Sequence, residues 1–237
     1  MEMTAIETAS ELPMDFGMAE GRVRTLIPPI DAFLGGLRPG ELSLIDSSDR
    51  LVFHLVNMIN VSAVREGLRV AWVDGGNSAN PYELTGICKR LRVRPEHALE
   101  EIVVARAFTA YQMSALVEDM LPQQLEEPGV VVVSCFADLY QDVDMAWSEA
   151  EQLMKRGFAK LRELAAQGHV VLVTNYGPEK LLARKGLRDM AYGAADTLLK
   201  IEARGPTARL LLPREGRGMQ YRPVAPAQTT LDEFGRY

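Results

Sequence analysis

The sequence predicts an α/β fold: a mostly parallel central sheet with helices on both faces and a C-terminal antiparallel extension. Three observations predict it. Apolar runs of four to six residues, rich in Val, Ile and Leu, recur through the first three quarters of the chain. They are continuous rather than alternating, which marks strands covered on both faces. Amphipathic helical stretches alternate with these runs, as the crossovers of a parallel sheet require. After Asn175 the alternation gives way to short strands separated by Gly- and Pro-containing turns, the pattern of an antiparallel meander.

Residues 1–22 mix acidic, Met and Ala residues without a period and read as a tail or short appended element. Residues 23–225 form the core domain, and 226–237 a C-terminal tail. Pro39-Gly40 leads into a strand over Glu41–Ile45, followed by a turn and a helix over Leu51–Arg65. Further strands fall at Arg69–Asp74, Ile102–Ala105, Val130–Ser134 and His169–Thr174. Asn80-Pro81-Tyr82-Glu83 combines a capping amide, a proline in the first turn and an early acid, so a helix starts there. Helices follow over Ala110–Leu121 and Met145–Ala166, the second stopped before Gly168. Lys180–Met190 is basic and reads as a loop or short helix. Strands at Thr197–Ala203, Ala208–Leu212 and Met219–Pro223 complete the meander.

Composition narrows the function. The 237 residues carry a net charge of −6, which disfavours nucleic-acid binding over the whole surface but leaves room for a local basic patch. The two cysteines, Cys88 and Cys135, and the histidines His54, His97 and His169 have no metal-ligand spacing, so no metal and no other cofactor is expected. There is no apolar run of membrane-spanning length and no secretory signal pattern, so no membrane partner and a cytoplasmic location are expected.

Strand, turn and helix around residue 48 are where a phosphate loop would lie. Such a loop needs glycines to curl N–H groups around phosphates, a Lys for charge and a Ser or Thr for magnesium. The frame Asp46-Ser47-Ser48-Asp49-Arg50-Leu51-Val52-Phe53 has no glycine, ends in two apolar residues and carries two carboxylates. Ser47, Ser48 and Asp49 stand at helix-capping positions, so the chain supplies its own hydroxyls and carboxylate to the helix N-terminus. Asp46 and Asp49 are expected to face an incoming triphosphate. Each would repel it by about 4 kcal/mol at about 4 Å and an effective dielectric near 20.

Several segments together resemble the RecA/RadA recombinase superfamily, which includes the KaiC-like ATPases. Ile30-Asp31-Ala32-Phe33-Leu34-Gly35-Gly36-Leu37 is similar to the lead-in before that family's phosphate loop. Val70–Asp74 resembles the next strand, Ile102–Phe108 the archaeal "ARA" strand, Val130–Ser134 the Walker B strand, and Val170–Asn175 the "VVVTNQ" strand. The resemblance implies a RecA-like core over residues 24–225. Each catalytic position departs from it: the phosphate-loop Lys and Thr fall on Val52 and Phe53, the Walker B Asp on Ser134, the water-positioning Glu on Gly76, and the sensor Gln on Tyr176. Four losses leave no evident way to stabilise charge on a transferring phosphoryl group.

The expectation is therefore a non-catalytic paralogue, an accessory in DNA recombination or repair that binds a recombinase or associates with itself. Two alternatives stand beside it: an ATPase completed by non-standard or neighbour-supplied groups, and a regulatory or structural ring subunit resembling the SulA-type inhibitors or Elongator accessory subunits. Lys180, Arg184, Lys185 and Arg188 fall where recombinases carry a DNA-contacting loop, and are the nucleic-acid candidates. The other DNA loop corresponds to Phe136–Asp144, which carries Asp138, Asp142 and Asp144 and no Lys or Arg. Leu231-Asp232-Glu233-Phe234 reads as a peptide that docks elsewhere.

Overall fold

The computed structural model describes residues 21–125, 127–142, 144–177 and 185–223. Eight strands form one sheet in the order β3-β2-β4-β5-β1-β6-β7-β8. They are β1 (Leu42–Ser47), β2 (Val70–Asp74), β3 (Ile102–Arg106), β4 (Val130–Ser134), β5 (Val170–Tyr176), β6 (Thr197–Arg204), β7 (Thr207–Leu212) and β8 (Arg217–Tyr221). Pairings from β3 across to β6 are parallel, and β7 and β8 add antiparallel.

Alternate residues of the central strands β1, β2, β4 and β5 feed two separate cores, because successive side chains leave a strand on opposite faces. On one face Ile45, Trp72, Val132, Leu172 and Leu199 pack under α1 (Pro28–Leu34), α2 (Leu51–Arg65), α3 (Pro81–Arg90) and α4 (Pro95–Glu101). On the other, Leu44, Val73, Val131 and Val173 pack under α5 (Ala110–Ala115), α6 (Trp147–Ala166) and α7 (Lys185–Ala194). Gly157 lets α6 lie against the Phe136 ring: a Cβ there would sit 2.7 Å from Phe136 Cζ. Phe136 in turn meets Phe158 and Tyr140 edge-on, with ring centroids 4.9 and 5.2 Å away.

Three helical expectations need correction. The helix expected over Ala110–Leu121 ends at Ala115 and continues as a π turn (Leu116–Met120) and a 3-10 turn (Leu121–Gln123). Pro122 lacks the N–H that would continue an α-helix there. Pro28-Pro29 opens α1, a helix the lead-in reading did not contain, and the Asp31 carboxylate in its first turn accepts the Thr25 N–H at 2.7 Å. Pro95 opens α4, also unforeseen. Among the described residues no helix is long and apolar enough to cross a membrane.

Candidate functional site at the β1–α2 turn

The turn between β1 and α2 closes on itself. Ser47 Oγ accepts the Asp49 N–H at 3.0 Å and donates to the Asp49 carbonyl at 2.7 Å. The Asp49 carboxylate then accepts the Leu51 N–H at 2.8 Å. The next two N–H groups, of Val52 and Phe53, donate to the carbonyls of Asp49 and Arg50 at 3.3 and 3.1 Å. Three successive donors at the start of α2 are thus engaged within the chain, where an anion would otherwise find them. Of the expected capping residues, Asp49 alone caps the helix. Ser48 turns the other way: its N–H donates to the Ile201 carbonyl at 2.8 Å and its Oγ accepts the Ala203 N–H at 3.0 Å, tying the turn to β6.

Asp46 does not face an incoming ligand, contrary to the sequence reading. It is fully buried on the α7 side of the sheet, where the Tyr192 hydroxyl donates to its carboxylate. Alternation decides this, since Asp46 follows Leu44 to the α5–α7 face while Ile45 takes the α2 face. Burial pushes its pKa up, with the Tyr192 hydrogen bond and the charge of Lys200 opposing. Of the two carboxylates, Asp49 alone borders the crevice.

Side chains fill the neighbouring strand ends as well. Val52 is fully buried, and the Phe53 ring lies 4.9 Å from that of Tyr176 with the two planes tilted by 58°. Ser134, at the end of β4, accepts the Trp72 indole N–H at 2.8 Å and donates to Asp74 at 3.1 Å. Asp74, buried at the end of β2, also accepts from the Gly76 N–H (3.1 Å), the Ser78 hydroxyl (2.9 Å) and the Ala79 N–H (2.8 Å). The local carboxylate thus stands on β2 and is saturated by its own loop. A Cβ on Gly76 would lie 2.5 Å from Cys135 Sγ. Cys135 itself holds a left-handed φ of 53°. Asp138, beneath Tyr176, accepts the Tyr176 N–H at 2.9 Å, and burial raises its pKa to about 7. Sequence reasoning missed Asp74 as the hub of this network, although an acid at the end of an apolar strand run signalled it.

Above the turn opens a crevice of about 560 Å³ bordered by Asp49, Arg50, Phe53, His54, Asn77 and Glu83, among others. His54 Nδ1 and Glu83 meet across it at 2.9 Å. Arg50 supplies positive charge at the mouth, with Asp49 and Glu83 offsetting it. No group of His, Cys, Asp and Glu able to hold a metal occurs among the described residues. A magnesium–triphosphate does not fit this arrangement: the first helix donors are engaged, no Lys or Thr among the described residues borders the crevice, and Asp74 already accepts four hydrogen bonds.

The family model described as Rad51 matches residues 52–221. The chain belongs to the Rad51 family. That places it in the RecA/RadA recombinase superfamily, and the order and direction of its strands are those of a RecA-like fold. The match to Rad51 opens at Val52, in the first turn of α2, and closes at Tyr221, the last residue of β8. No curated protein matches the chain. Of the nucleic-acid candidates, Lys180 and Arg184 lie outside the described residues, as does the peptide around Phe234. Lys185 begins α7, and Arg188 on that helix pairs with Asp189 at 3.7 Å.

Proposed function

We propose that this Rad51-family chain is non-catalytic and acts by binding, as an accessory in DNA recombination or repair. The observation that carries this reading is the self-capped β1–α2 turn, in which Asp49 and the turn carbonyls take the N–H groups of Leu51, Val52 and Phe53. Catalysis of phosphoryl transfer consists of positioning and charge stabilisation, and these residues supply neither. Ser134 and Gly76, at the positions of the family's acids, point the same way.

Association through a protein partner, a recombinase or a second copy, is supported at the other end of the sheet. β3 is an edge strand, and an apolar groove of about 160 Å³ runs along it between Val103, Val104, Leu116 and Met120. Phe108 and Tyr111, 66% and 56% exposed, continue this surface. An edge without proline or lysine offers unpaired backbone groups to another chain.

Thermal unfolding with and without magnesium-ATP tests the reading. Millimolar nucleotide is expected to leave the midpoint unchanged. A saturable rise, or phosphate release by the purified chain that Asp49→Ala abolishes, refutes it and favours an ATPase with non-standard groups.

A further inference from the structure

We infer that the solvent face of the β6–β8 meander binds the phosphodiester backbone of a nucleic acid. The inference rests on the DNA-accessory reading for its choice of ligand, and its geometry stands on separate residues. On β6 the core takes Leu199 and Ile201, on β7 Ala208 and Leu210, while Met219 and Tyr221 of β8 pack against that core. The alternate positions Arg204, Arg209 and Arg222 therefore share the opposite face, and all three are exposed.

Register brings them together. Arg204 pairs with Thr207, and Ala208 with Tyr221, so the residue after Tyr221 lies beside Thr207 on its other flank. Arg204 and Arg222 thus stand one strand to either side of Thr207, each about 5 Å away, and Arg209 lies two residues along, about 7 Å. Because β6 runs parallel to β1, this triad sits at the same edge of the sheet as the β1–α2 turn.

Arg204 is held 3.2 Å from Glu202, the one carboxylate among the described residues on this part of the face, which also stands opposite Arg209 in the strand register. Arg209 and Arg222 have no ion-pair or hydrogen-bond partner among the described residues. Protection of a free sheet edge does not account for the cluster, because Arg204 and Arg209 lie on interior strands and, of the three meander strands, β8 alone is an edge. Guanidinium groups suit phosphate oxygens through paired N–H donors. On a chain of net charge −6, a concentration of arginine on one flat face selects a polyanion. Beside the triad this face carries Glu202, Thr207 and Gln220, and its nearest apolar side chain, Leu211, is half-buried, which favours nucleic acid over insertion into a membrane surface.

The test is fluorescence anisotropy of the full chain with labelled oligothymidine and a labelled duplex over a range of salt. Binding is expected to weaken steeply with salt. Arg204→Gln/Arg209→Gln/Arg222→Gln is expected to lower the salt slope by about 2–3, since each phosphate contact contributes about 0.7–0.9. If the triple variant does not fold, Arg209→Gln and Arg222→Gln taken singly are each expected to lower it by about 1. The inference is overturned if the wild type binds neither probe or the folded variants bind as the wild type does. It is equally overturned if Lys180→Gln/Arg184→Gln alone removes all binding, or if the wild type binds anionic phospholipid vesicles and not DNA. A thermal shift with magnesium-ATP would remove the non-catalytic reading and leave this face standing. DNA binding unaffected by the Arg variants would do the reverse.

Discussion

Replacing Ser134 by Ala tests whether the hydroxyl at the end of β4 serves as a structural lock. The hydroxyl makes two buried hydrogen bonds, accepting from Trp72 and donating to Asp74. Removing it strands the indole N–H in a fully buried ring, which costs about 1–3 kcal/mol. Asp74 loses one donor of four, and a hydrogen bond to a charged group contributes about 1.5–3 kcal/mol. The remaining three donors hold the carboxylate in place and blunt that second loss, so we expect a total of about 2–4 kcal/mol. Urea denaturation followed by circular dichroism reads the change directly. Trp72→Phe combined with Ser134→Ala isolates the indole contact, and the double variant is expected to recover about 1 kcal/mol relative to additivity. A Ser134→Ala variant within 0.5 kcal/mol of wild type, roughly the effect of an ordinary surface change, would refute the lock.

Two further outcomes follow from the packing and the titration. Asp138 has its folded pKa raised from 3.8 to about 7, so the folded state holds its proton more tightly than the unfolded chain. Stability should therefore fall as pH rises from about 4 to 7, and Asp138→Asn should flatten that slope and gain about 1–2 kcal/mol above neutrality, a figure reduced because the half-buried residue keeps some contact with solvent. An unchanged pH profile would show that Asp138 is not buried as described. Gly157→Ala should destabilise, because overpacking against Phe136 costs about 1–3 kcal/mol and outweighs the helix gain of about 0.5–1. Gly86→Ala on α3, with nothing within 4 Å of its Cβ, should show the helix gain alone, and equal effects at the two sites would contradict the packing.

The centre of the sheet was legible because β1, β2, β4 and β5 are buried on both faces. Val130–Ser134 and Val170–Asn175 have no polar residue before their ends, and only a strand of a covered sheet uses such a run. The meander was legible from Gly205 and Gly216, whose φ values of 62° and 64° suit glycine at the turns. α1 and α4 were hidden because each has seven residues, too few for a hydrophobic period to emerge. At the candidate site, the missing glycines and Lys were plain in the letters, as was the capping role of Asp49. The side to which Asp46 points was equally encoded in the alternation of β1, but the turn was read as one unit and its strand part was not separated. The Trp72–Ser134–Asp74 chain joins neighbouring strands β2 and β4 across 62 residues of sequence, and only strand order brings those ends together.

Gly76 limits what its own position can become. A chain with this backbone that acquired glutamate at position 76 would gain no acid poised over the crevice. The new side chain would first collide with Cys135 Sγ, 2.5 Å from its Cβ, on a residue already in a left-handed backbone conformation. Relief would require the Cys135 side chain to move, next to a loop that the Thr174 carbonyl anchors through the Phe136 N–H at 3.0 Å. Glutamate at position 76 is therefore opposed by packing at Cys135 before its carboxylate could reach the crevice.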